Sequence, residues 1–100
     1  MSNVLTKNGK RILANARVRE EVAGLSTGTY YTQFSHWVGA LGAVLDKHRL
    51  QLSMGVETPY NEDGSGMREI ISPSEEVVGF LWFSYHRMQS GNWEIICYIA

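Results

Sequence analysis

A cysteine beside a histidine can become an activated thiolate. Cys97 and His86 lie on two neighbouring apolar runs near the C-terminus, Val77–Met88 and Trp93–Ala100. No third group is there to orient them, and Cys97 stands among Ile95, Ile96 and Ile99, where a thiol is inert core. His36 could serve as a general base. It is in helical register with Thr32, Ala40 and Ala43, and a lone helical histidine reads better as a hydrogen-bonded or surface residue. His48 falls at a helix C-terminus, where the dipole favours its cationic form, a structural role.

Metal and anion chemistry fare no better. Asn61, Asp63 and Ser65 alternate ahead of Gly66 as in part of a calcium loop, but the twelfth position, where a bidentate Glu belongs, is Ser72. The run GLSTGT, residues 24–29, could cradle an anion on backbone amides. It lacks the lysine of a phosphate loop and reads as an interhelical turn. No catalytic residue, metal or cofactor is assigned.

The elements that would position such groups come from hydrophobic periodicity. Lys10 to Leu25 reads as a helix, with Ala14, Val18, Val22 and Leu25 at three- and four-residue spacing. Thr29 to His48 reads as a second, with Thr29 as N-cap and a stripe of Tyr30, Phe34, Trp37, Val38, Leu41, Val44 and Leu45. Gly39 and Gly42 inside it cost about 1 kcal/mol each relative to Ala, a cost that close approach of another backbone would offset. Arg49 to Glu57 alternates as a half-buried strand, Thr58–Gly66 is a polar loop, and Met67–Ile71 is a short strand.

The last quarter, from Val77, is dense in β-branched and aromatic residues around a Ser-Gly-Asn turn signal, the pattern of a hairpin. The sequence thus predicts an α+β domain over residues 1–100, with residues 1–8 a loose terminus. Two N-terminal helices precede a four-stranded antiparallel meander. The alternative, α-α-β-β-α-β, makes residues 72–89 helical from the Ser72, Pro73, Glu75 start signature.

The hairpin is apolar on both faces, and so short a chain has little with which to cover both. A two-residue turn would set Tyr85 across from Ile96 and Phe83 across from Tyr98, and would gather Trp82, His86, Trp93 and Cys97 on one face. A three-residue loop would swap the memberships. The aromatic enrichment fits an interface centre or a ligand pocket. The candidate interface or pocket residues are Trp37, Gly39, Gly42, Trp82, Tyr85, His86, Trp93 and Tyr98.

Composition bounds the function. The apolar fraction of 44% excludes a disordered chain. One cysteine allows no internal disulfide and suits a reducing compartment, so a cytoplasmic location is expected. No apolar run approaches the roughly 18 residues of a membrane span. Lys7, Lys10, Arg11, Arg17 and Arg19 form a basic N-terminal segment, while residues 50–100 carry seven acids against Arg68 and Arg87. With net charge −1, pairing between the halves is favoured over nucleic-acid binding. The leading expectation is a non-enzymatic interaction module that partners itself as a homodimer or larger. The rivals are a protein or small enzyme binding a small apolar or aromatic ligand in an aromatic and histidine-lined pocket, and an RNA-directed, toxin-like protein using the basic first helix.

Overall fold

Valines four residues apart, Val18 and Val22, give the first described helix its buried seam. The computed structural model describes residues 16–26 and 30–100. Helix α1 spans Ala16–Gly24 and closes on Gly24, where Leu25 and Ser26 donate back to Val22 and Ala23. Residues 10–15 of the expected first helix, and the loose terminus, lie outside the described residues.

The second helix, α2, runs Phe34–Lys47 and not from Thr29. Tyr30–Tyr31 forms a short strand, β1, and Gln33 stands at the N-cap without a side-chain cap bond. Tyr30 fits the helical stripe by spacing, yet a pair of β-forming tyrosines was free to join a sheet edge. Thr29 lies outside the described residues. Phe34, Trp37, Leu41 and Leu45 supply the buried stripe of α2. Its end is a Schellman turn: Arg49 N–H donates to Asp46 O and Leu50 N–H to Leu45 O.

The remaining strands are β2 (Gln51–Leu52), β3 (Asp63–Ile71), β4 (Val77–Arg87) and β5 (Trp93–Ile99). All neighbours are antiparallel, in the order β1-β5-β4-β3-β2. The expected α+β class therefore stands, with a fifth strand, β1, added at the far edge of the β2-to-β5 meander. The expected strand over Arg49–Glu57 shrinks to two residues. Its ladder holds only at Gln51 with Ile71 and Leu52 with Ile70, followed by one bond from Ser53 N–H to Glu69 O. Conversely β3 begins at Asp63, inside the expected loop.

Residues 72–89 are not helical. Ser72–Glu76 is a tight turn and Val77–Arg87 a strand, as β-branched and aromatic crowding favours. Opposite Ile70 and Ile71 stand Gly79 and Val77, which leaves Val78 as the extra residue of a bulge. Val78 is wholly buried.

The hairpin register also differs from a two-residue turn. Met88 N–H donates to Asn92 O and Gly91 N–H to Met88 O, leaving the three-residue loop 89–91 with Gly91 at φ 92°. This is a type I turn closed by a left-handed glycine. An odd loop puts odd residues opposite odd ones: Phe83 faces Cys97, Tyr85 faces Ile95 and Arg87 faces Trp93. The inner face of the sheet thus carries Leu81, Phe83, Ile95, Cys97 and Ile99, covered by the buried seams of α1 and α2.

Candidate functional surface

The register that fills the inner face fixes the outer one. Across β3, β4 and β5 its side chains form rows: Asp63, His86 and Glu94; Ser65, Ser84 and Ile96; Met67, Trp82 and Tyr98. Glu69 and Phe80 continue β3 and β4, and Tyr30 extends the first row from β1. Met67 is 40% exposed, Trp82 43%, Tyr98 52% and Ile96 55%. No described helix lies over this face; both pack on the other. The centre is apolar, and Asp63, Glu69, His86 and Glu94 ring it.

The candidate residues divide between the faces. Trp82, His86 and Tyr98 stand on the open one. Trp37 and Trp93 are in the core and Tyr85 is half-buried against it. The pocket expected from Trp82, Tyr85, His86 and Trp93 is not assembled, because the three-residue loop sends Trp93 inward and leaves Trp82 outside. Trp93 instead completes an aromatic cluster: its ring lies 5.3 Å from Phe34 and 6.0 Å from Tyr85, and Phe34 is edge-on to Trp37 at 5.5 Å. The Arg87 guanidinium stacks over Trp93 at 5.7 Å.

Gly39 and Gly42 are on the exposed side of α2, and no described residue comes within 4 Å of a Cβ placed on either. The close backbone approach expected there does not occur among the described residues.

Cys97 is buried, and its Sγ–H donates to Val22 O at 3.3 Å. Burial pushes its thiol up, outweighing the Trp37 and Ser26 donors that favour the thiolate. Among the described residues the indole N–H of Trp37 has no hydrogen-bond partner of ordinary geometry, though it faces the soft Cys97 sulfur. Burial likewise raises Tyr31, with the Cys97 thiolate adding to the effect, and its hydroxyl donates to Leu25 O at 2.7 Å. His86 stands on the opposite face from Cys97, so no Cys-His pair exists.

His36 is exposed, with Nδ1 3.2 Å from Thr32 Oγ1. His48 contacts Glu21 Oε1 through Nε2 at 2.6 Å, and Lys47 Nζ pairs with Glu21 Oε2. These bonds, the lysine's first, hold the Glu21 carboxyl down to about 2. The three residues tie α1 to the C-terminus of α2. No cluster of three or more metal-ligating side chains exists among the described residues, and no described helix is long and apolar enough to cross a membrane. The loop 27–29, part of the anion-cradle reading, and the basic residues 7–11 lie outside the described residues.

Sequence reasoning located the apolar excess of the hairpin but not its division between faces. It also missed Met67 and Ile96 as surface residues; their alignment with Trp82 and Tyr98 follows only once the register is known. Scans against protein-family models, curated proteins and solved structures each returned no match.

Proposed function

We propose that this protein is a small non-enzymatic interaction module that self-associates through the outer face of its sheet. The observation that carries the reading is the row Met67, Trp82, Tyr98 with Ile96 beside it, apolar and open across three strands. These four side chains leave on the order of 400 Å² of surface uncovered, the size of the largest apolar patch on a typical monomer, which is often functional. A stable pair needs about 800 Å² from each partner. The patch supplies about half, so the remainder must come from the surrounding rim of Ser65, Ser84, Glu69, His86 and Glu94. A second copy brings the same patch, so a two-fold contact is self-complementary in its apolar centre. A polyanionic partner is disfavoured on this face, whose ring carries three carboxylates.

Light scattering at micromolar concentration tests the reading. A dimer mass is expected, falling to the monomer mass in a Trp82→Ser, Tyr98→Ser double variant whose circular dichroism is unchanged. A monomer mass for the parent overturns it, and so does a dimer that the double variant leaves intact.

A further inference from the structure

Among the described residues, two that are not glycine hold left-handed backbone: Arg49 at φ 59° and Glu75 at φ 64°. Both occupy positions where glycine is usual, Arg49 just past the C-cap of α2 and Glu75 as the last loop residue of the β3–β4 turn. Strain of this kind persists where the surrounding structure or a function requires the side chain.

Arg49 lines a cleft whose far wall is the start of the β3–β4 turn, Ser72 and Pro73, while Glu75 itself stands outside it. The cleft is open, with a volume of about 410 Å³, and is lined by Asp46, Arg49, Leu50, Gln51, Ser72 and Pro73, with Asp46, Arg49 and Gln51 exposed at its mouth. A second cleft of about 280 Å³ shares Asp46, Leu50 and Gln51 and is otherwise mainly aliphatic, with Leu41, Leu45, Leu52 and Val56 in its wall. The walls carry one cation, one anion and one amide. Asp46 and Arg49 are three residues apart, yet no ion pair joins them, and neither pairs with any other described residue.

We infer that these adjoining clefts, which share Asp46, Leu50 and Gln51, bind a small aliphatic α-amino acid. The planar Arg49 fork suits a carboxylate. Asp46 suits an ammonium group, which the C-terminal end of α2 also favours. Gln51 donates and accepts between the two, and the aliphatic cleft takes a branched side chain. A ligand with only one of the two charges leaves Arg49 or Asp46 unmatched. Glycine at position 49 relieves the backbone but removes the guanidinium. The site is separate from the open sheet face and does not depend on self-association.

Isothermal titration with L-leucine, 4-methylpentanoate and 3-methylbutylamine tests the assignment. L-leucine binds, and each single-charge analogue binds at least tenfold more weakly. Arg49→Gly raises the thermal midpoint and weakens L-leucine at least tenfold. Asp46→Asn weakens it comparably with the midpoint unchanged. No heat with L-leucine at millimolar concentration overturns the site. An analogue as tight as L-leucine overturns the ligand class, and an Arg49→Gly protein that binds like the parent overturns the role of Arg49.

Discussion

The Phe83 ring of β4 fills the space that a side chain at Gly66 of β3 would occupy. A Cβ built on Gly66 would sit 2.6 Å from Phe83 Cζ, and one on Gly64 would sit 2.5 Å from the Tyr85 hydroxyl. Aromatic rings thus cover two successive glycines of the neighbouring strand, a cross-strand pairing that compensates for weak strand formers. Phe83 has little room to yield, because it is buried and lies 5.4 Å from the Trp37 ring.

Gly66→Ala should therefore destabilise the fold by about 1–3 kcal/mol, the range for overpacking a filled core. Gly64→Ala should cost less, since it meets the far end of the half-buried Tyr85. Urea denaturation of both variants beside the parent checks the order; equal midpoints for Gly66→Ala and the parent would refute the packing account.

The two tryptophans of the hairpin should behave differently. Trp93 is 5% exposed in the aromatic cluster, and Trp93→Ala should cost about 3–5 kcal/mol. Trp82 is 43% exposed, and Trp82→Ala should cost about 1 kcal/mol in the folding of the monomer. The sequence alone predicts near equality, as both sit in the densest β-forming run. Chemical denaturation at dilutions that suppress association separates the two cases.

Acid should weaken the tie between the helices. Glu21 is held at about 2 against an ordinary 4.5, so its contribution to stability is full above pH 4.5 and is lost as pH falls through 2. Thermal midpoints of the parent and Glu21→Gln should differ at neutral pH and converge toward pH 2. A constant gap across that range would assign the stabilisation to something other than the carboxylate.

The hairpin turns 72–76 and 88–92 have the same bonding pattern, with Glu75 in one where Gly91 stands in the other. A left-handed non-glycine residue costs about 1–2 kcal/mol, and the added freedom of glycine in the unfolded chain returns about 0.5–1 kcal/mol of that. Glu75→Gly should raise stability by about 0.5–1 kcal/mol, and Gly91→Ala should lower it by about 1 kcal/mol. Denaturation midpoints moving in opposite directions would bear this out.

Those turns also show where the sequence was legible. The Val77–Ile99 hairpin could be read because Val, Ile, Phe, Trp and Tyr crowd it beyond what the helix-start residues at Ser72 and Pro73 can override. Its register could not, because both parities are apolar and a two-sided apolar strand pins no face. The parity was set by Gly91, one residue of backbone conformation. β1 was hidden because Tyr30 stands four residues before Phe34, a helical spacing that a two-residue strand satisfies equally well. The open face was therefore half visible: Trp82, His86 and Tyr98 were named, while Met67 and Ile96 needed the register.

The shortness of β2 has a consequence for motion. Its ladder ends at Ile70, so the first half of β3, Asp63–Met67, is paired in the sheet with β4 alone. That half contains both ring-covered glycines and no residue buried in the core. A segment with one bonded neighbour and little apolar anchorage opens at low free energy while the rest of the domain stays folded. Its amides should exchange with solvent well before those of β5, and the chain should fray from this corner inward.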